Sequence, residues 1–180
     1  MHYLALIRKL NAGADHRISK QDLMQLMHTA GLAQIEIYLN SGNVLFSATT
    51  DPAILHQSIE QALTAHFGDP MQVLLLNQQE FATIAHAIPA DWHNDEAQRS
   101  DVAFLFDPLN HLGIVEQLPF DRNYITVKHV DHALIWNVVR ANYQRSKLNK
   151  LIANPIYQHI TVRNVTTVRE LQARLQKRVE

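Results

Sequence analysis

IEIYLNSGNVLF, residues 35–46, is the stretch that decides the fold. Ile35, Ile37 and Leu39 alternate with Glu36 and Tyr38, the period of a half-buried strand, and Val44 to Phe46 supply its partner. Asn40-Ser41-Gly42-Asn43 stands between them, and Gly and Asn are the residues that accept the positive φ of a tight turn. A β-hairpin is therefore expected here, and a lone hairpin needs further elements to bury its apolar face.

The chain supplies them on both sides. Upstream, Tyr3 to Ile7 is a short apolar run that reads as a buried strand ending at Arg8, and Asn11 to Arg17, with Gly13 and Asp15, reads as a loop. Ser19 is placed as an N-cap with Asp22 in the first turn. Leu23, Leu26, Met27 and Ala30 then recur at helical spacing until Gly31. Downstream, Asp51-Pro52 opens a helix whose Leu55, Ile59, Leu63 and Phe67 share a face until Gly68, and Met71 to Leu76 is a second buried strand. The order βαββαβ is complete by Asn77 and matches the split βαβ, or ferredoxin-like, arrangement.

Phe81, Ile84, Ala85 and Ile88 predict a short extra helix stopped by Pro89, and the polar, aperiodic residues that follow read as a linker. The order then recurs. Val102 to Phe106 is a strand, Asp107-Pro108 repeats the helix-start pairing, and a short helix runs to Leu118. Tyr124 to Val130 and Ala133 to Val139 form a hairpin across Asp131 and His132. Lys147 to Ala153 is helical, Ile160 to Val162 is β-prone, and Thr167 with Glu170 forms a capping box for a terminal helix facing inward through Val168, Leu171 and Leu175. The expected fold class is α+β: two tandem ferredoxin-like subdomains (βαββαβ, the alpha-beta plait) with an extra C-terminal helix. The expected boundaries are 1–90, a linker at 91–99, and 100–180.

Composition narrows the function classes. At 180 residues with 47% hydrophobic content, the chain is long enough for one large domain or two small ones. It has no cysteine, which excludes disulfides, thiolate catalysis and cysteine-ligated metal centres. No apolar run approaches the roughly 20 residues of a membrane span, and the N-terminus lacks a signal-peptide layout, so a cytoplasmic protein is expected. The net charge of −1 hides a division: Met1 to Phe120 carries 5 basic and 13 acidic residues, and Asp121 to Glu180 carries 11 basic and 4 acidic. That basic third reads either as an anion-binding face or as a complement to the acidic part of the same chain. Arg169, Arg174, Lys177 and Arg178 sit on the terminal helix, where such charges are expected to be a solvated face.

Four segments together resemble the bacterial family called domain of unknown function 1697. They are Tyr3 to Gly13 (YLALIRKLNAG), Tyr38 to Phe46 (YLNSGNVLF), Gln144 to Leu148 (QRSKL) and Thr161 to Thr167 (TVRNVTT). The resemblance implies two tandem ferredoxin-like subdomains and carries no activity with it. Its recurrent polar positions fall on Arg8, Asn11, Ser41, Gly42, Asn43, Arg145, Ser146, Lys147, Arg163, Asn164 and Thr167. Lys9 stands where the family usually has glycine, Ala12 and Ala14 soften the glycine-rich loop, and Val165 replaces a common tryptophan.

From these residues Arg8, Asn11, Ser41, Asn43, Arg145, Ser146, Lys147, Arg163 and Asn164 are taken as candidate ligand contacts. The expected partner is an anionic small molecule at the subdomain junction, held by guanidinium forks and helix N-terminal amides. The competing structural roles are Ser146 and Thr167 as helix caps, Ser41 to Asn43 as a plain turn, and arginines that bridge the subdomains. An enzyme of acyl or phosphoryl chemistry in the same cleft is the alternative, with Arg8, Arg145 and Lys147 stabilising charge. It lacks an evident nucleophile or base, and no catalytic residue is assigned. Nucleic-acid binding comes third, because Tyr38, Tyr124 and Trp136 do not form the aromatic platform of an RNA-binding sheet. With 5 glycines, neither GxGxxG nor a phosphate-binding P-loop occurs, and no cofactor is expected. The 11 histidines give only weak clusters, His129 with Asp131 and His132, and His86 and His93 beside Trp92, so no metal site is expected.

Overall fold

Strand β1 (His2–Ile7) is apolar over Tyr3 to Ile7 and is buried at all six positions. Strands buried on both faces read as continuous hydrophobic runs, and such a strand belongs inside a sheet. It does lie inside: β2 (Ala33–Tyr38), β3 (Asn43–Ser47), β1 and β4 (Val73–Asn77) form one sheet in the order β2-β3-β1-β4, antiparallel throughout. The computed structural model describes residues 1–107, 109 and 111–178.

The chain divides into two compact units, Met1–Phe81 with Ala173–Glu180, and Ala82–Gln172. In the first, α1 (Lys20–Thr29) joins β1 to β2, and α2 (Pro52–Phe67) joins β3 to β4. Ser19 caps α1 by accepting from the Asp22 N–H at 3.1 Å, a bond of about 1 kcal/mol, and Asp51 caps α2 through the Ala53 N–H. Tyr3, Ala5 and Ile7 of β1, Leu23 and Met27 of α1, and Leu55, Ile59 and Leu63 of α2 form the core with Val44 and Phe46 of β3. The apolar spacing read from the sequence is this core. α3 (Gln78–His86) follows β4 directly, and Asn77 accepts from the N–H groups of Gln79 and Glu80 at its start.

The second unit repeats the strand order with a different cover. β5 (Gln98–Leu105), β6 (Ile125–Val130), β7 (Ala133–Val139) and β8 (Ile160–Asn164) form an antiparallel sheet in the order β6-β7-β5-β8. The helix expected to end at Leu118 is a 3-10 turn at Leu112–Gln117, and Pro108 of its expected start lies outside the described residues. The stretch expected to be helical at Lys147 to Ala153 is a 3-10 turn at Leu148–Ala153, followed by another at Pro155–His159. Gly113 lies inside the first of these segments, where glycine costs about 1 kcal/mol against an α-helix, and Asn154 caps the last, its Oδ1 accepting from the Ile156 N–H at 2.9 Å.

The linker expected at 91–99 overlaps structure. β5 already begins at Gln98, and Trp92 is buried, its carbonyl accepting from Arg169 Nη1 at 2.8 Å. The capping box at Thr167 is corrected. Helix α4 is Val165–Gln176, and its cap is Asn164, whose Oδ1 accepts from the Thr167 N–H at 2.8 Å. Asparagine is among the strongest N-cap residues, and here it starts the helix before Thr167 is reached.

Candidate functional site

Arg8 and Lys9 leave the end of β1 side by side. The Arg8 backbone N–H donates to Gln72 O at 3.0 Å, tying the strand's exit to the segment ahead of β4. From there the chain enters a loop in which Lys9 (φ 60°), Asn11 (φ 54°) and His16 (φ 51°) all take left-handed backbone conformations. For residues with a Cβ this costs about 1–2 kcal/mol each, so the loop needs support from its surroundings.

Asn11 gives that support. Its Nδ2 donates to Ile18 O at 3.1 Å and to Asn40 O at 2.9 Å, and its Oδ1 accepts from the Ile18 N–H at 2.9 Å. The loop is thereby closed on itself and fastened to the β2–β3 turn. That turn is held in its own right: Asn43 is fully buried, and its Nδ2 donates to Tyr38 O at 2.9 Å and to Ser41 Oγ at 3.1 Å. Gly42 (φ 75°) completes it, since its carbonyl accepts from the Ile7 N–H at 2.8 Å, and a Cβ there would stand 2.7 Å from Ile7 O.

The opposite wall comes from the connection after α2. Gly68, at φ 76°, ends the helix in the left-handed conformation and turns the chain into Asp69 to Gln72. His16 packs edge-on against Phe67, centroids 5.3 Å apart, and its Nε2 lies 3.4 Å from Asp69 Oδ2. Between these walls is a cavity of about 480 Å³, lined by Arg8, Lys9, His16 and Asp69 to Gln72. That volume falls within the range of small-molecule sites. Of its charged lining residues Arg8 is buried, while Lys9 and Asp69 are exposed.

Of the nine candidate contacts, Arg8 lines this cleft, Asn11 builds its loop, and Ser41 and Asn43 build the adjoining turn. The other five lie in the second unit. Arg145 is exposed and lies over the Tyr124 ring at 5.8 Å, and Lys147 Nζ is 3.9 Å from Asp121 Oδ2. Ser146 is fully buried, donating to Tyr143 O at 2.7 Å and accepting from the Leu148 N–H at 3.2 Å, which starts the 3-10 turn. Arg163 is buried and donates to Thr161 Oγ1 and Val162 O, both at 2.9 Å. Burial pulls its guanidinium down to about 10, which still leaves it protonated at neutral pH. Asn164 is the cap of α4.

Lys9, His16 and Asp69 are the site residues that sequence reasoning missed. Lys9 was visible only as the second of two adjacent charges that end the first apolar run. His16 and Asp69 carried no signal, since only the fold brings them together. A second cavity of about 490 Å³, bordered by His2, Gln34, Ser47 and their neighbours, has no Lys, Arg, Asp or Glu in its lining. The charged cleft is therefore the candidate site. No three His, Asp or Glu side chains are grouped to hold a metal ion among the described residues. Among the same residues no helix is long and apolar enough to cross a membrane.

The terminal arginines are not a solvated face. In the first unit, Arg174 pairs with Glu36 through Nη1 and lies over the Tyr38 ring at 4.5 Å. The Arg178 side chain is only 12% exposed, donating to Gln34 O at 2.7 Å and to Glu36 Oε2 at 3.4 Å. Burial of Glu36 opposes its ionisation, but the hydrogen bonds and charges of both arginines outweigh that and hold its carboxyl below the usual range.

Comparison with known proteins covers nearly the whole chain. A family model described as "Protein of unknown function (DUF1697)" matches residues 1–136. A conserved bacterial protein, SP0830 from Streptococcus pneumoniae, has a solved structure that is similar at a TM-score of 0.84 with 25% identity. The match covers 97% of this chain and 98% of that one. No curated protein matches the chain.

Proposed function

We propose that this chain, which belongs to the family described as protein of unknown function DUF1697, is a binding module for an anionic small molecule. The observation that carries the reading is the convergence of Arg8, Lys9 and His16 on one cavity of the first unit, on a loop braced by Asn11. A buried guanidinium is less screened than one on open surface, and its fork suits the oxygens of a phosphate or carboxylate. Arg8 already makes contacts of its own in the folded chain; a guanidinium has five N–H donors, so ligand oxygens add to that set.

The architecture we assign to both units is the ferredoxin-like plait. The shared strand order supports it, as do the helices of the first unit, each of which crosses between two strands separated in the sheet by a third. The cytoplasm is the compartment we assign, in keeping with a chain that has no cysteine.

Thermal-shift and calorimetric titration with inorganic phosphate and with acetate at low salt test the reading. Phosphate is expected to raise the Tm in a dose-dependent way. Lys9→Ala should weaken binding about fivefold, the size of one exposed charge contact. Arg145→Ala should leave it unchanged. No stabilisation at low salt, or binding lost in Arg145→Ala and kept in Lys9→Ala, overturns the assignment.

A further inference from the structure

The cleft that takes the anion also holds a carboxylate, and that narrows the ligand. We infer that the site is built for an amphoteric small molecule, one that carries a phosphate or carboxylate and, a few atoms away, an ammonium. This rests on the reading of the same cleft as an anion site and goes beyond it. Lys9 and Asp69 line one cavity yet form no ion pair with each other, each being held by a different piece of backbone. Lys9 is fixed by the left-handed turn at the end of β1, and Asp69 by the turn that Gly68 makes at the end of α2.

Asp69 has no evident structural duty. Its side chain is 71% exposed, and its ionic contact is the one to His16 Nε2 at 3.4 Å. That contact is not a hydrogen bond, since His16 Nε2 has no hydrogen-bond partner. The imidazole, wedged edge-on against Phe67, stands beside one oxygen of the carboxylate and leaves the other open to a ligand. For a plain anion such a carboxylate is a cost, because like charges in one cleft repel. For a ligand with separated charges it is a second anchor. The anionic end meets Arg8 and Lys9, the ammonium meets Asp69, and neither charge of the ligand is left facing its own sign.

A matched pair of probes isolates the ammonium. Ethyl phosphate and O-phosphoethanolamine carry the same phosphate ester, and only the second adds an ammonium at the far carbon. In calorimetric titration of the full chain, O-phosphoethanolamine is expected to bind about three- to fivefold more tightly, as befits one exposed ion pair. Asp69→Asn should erase that preference while leaving ethyl phosphate binding equal or stronger. Lys9→Ala should weaken both probes alike. Both side chains are exposed, so neither variant threatens the fold. Equal or tighter binding of ethyl phosphate to the unmodified chain overturns the amphoteric ligand and leaves the anion site standing. A preference that survives Asp69→Asn overturns the role given to Asp69, and failure of both probes to bind removes the anion site with it.

Discussion

The two units share a strand order and differ in what covers it. In the first, α1 and α2 lie over the sheet, and Leu23, Leu55, Ile59 and Leu63 share a core with Tyr3 and Phe46, whose rings stack at 5.6 Å. In the second, 3-10 turns take the place of those helices, and the space is filled by Trp136 and Phe120, packed edge to face at 5.5 Å. A sheet of this order is specified by its strands, whose apolar alternation fixes register and facing. The cover has only to be apolar on one side. Covers differ, however, in what they leave for polar groups. The helical unit sets Arg8 and Lys9 at the end of β1, where the cleft forms, and pairs a half-exposed Glu36 with Arg174 and Arg178. The second unit keeps charge inside, with the buried Asp101 accepting from Arg99 Nε at 2.7 Å and from Trp136 Nε1 at 3.3 Å.

The sharpest way to break this comparison is at the turn on which the first unit depends. Gly42→Ala places a methyl group 2.7 Å from Ile7 O in a left-handed backbone, and neither the strand nor the turn can yield cheaply. A loss of about 2–4 kcal/mol is expected from strain and overpacking together, read as a drop in urea midpoint. Gly31→Ala is the control, with the same backbone sign (φ 87°) and nothing within 4 Å of the new methyl. It should cost about 1–2 kcal/mol, the conformational penalty alone. Equal losses at both positions would mean that the close approach to β1 is not what fixes glycine at position 42.

Next in size is the interior charge of the second unit. Asp101→Ala removes the acceptor for a guanidinium and an indole N–H at once. The expected cost is about 1–3 kcal/mol, tempered because Arg99 reaches solvent with 37% of its side chain. Asp101 also helps hold Arg99 above the ordinary guanidinium range, by its charge and hydrogen bond working against burial. Were Asp101→Ala neutral, the second unit would not need its internal ion pair, and the contrast with the first unit would reduce to helix content.

How far the sequence carried the fold follows the same line. Alternation and apolar runs placed the eight strands of the described residues, because a strand's two faces are written locally, and Ser19, Asp51 and Gly68 marked helix ends by the chemistry of orphan N–H and C=O groups. The start of α4 was misplaced because Thr167 and Glu170 satisfy the capping-box spacing, while Asn164, also a good cap, sits inside a β-prone run. Asn164→Ala should therefore cost about 1 kcal/mol, and Thr167→Val much less, both measured by urea unfolding. At the site, Arg8 and Asn11 were legible by position, whereas His16 meets Asp69 only through the packing of a loop on the end of α2. The division of charge along the chain allowed pairing with its acidic part as one of two readings, but it put the terminal arginines on a solvated face. It could not say that Arg174 and Arg178 would choose Glu36, up to 142 residues away.

That choice carries the smallest prediction. Glu36 is held below its ordinary value of 4.5 in the folded chain, burial being outweighed by Arg174 and Arg178. A carboxyl whose folded value is depressed contributes stability that is fully present above its unfolded value and is lost as the pH falls through the folded one. The first unit should therefore hold its stability on the neutral side of 4.5 and lose this contribution in the acid range below it. The amplitude is kept under about 1 kcal/mol because the Glu36 side chain is 36% exposed and the pair is screened. Urea midpoints taken across that acid range on the unmodified chain and on Glu36→Gln should converge at the low end and separate above it. Added salt should shrink the gap, since screening acts on exposed charge pairs and leaves the apolar core untouched. A gap that persists at the lowest pH would mean that Glu36 does not act through its charge, and the helix end would then be held by Arg178, donating to Gln34 O of β2 and Leu45 O of β3, and by Arg174 over the Tyr38 ring.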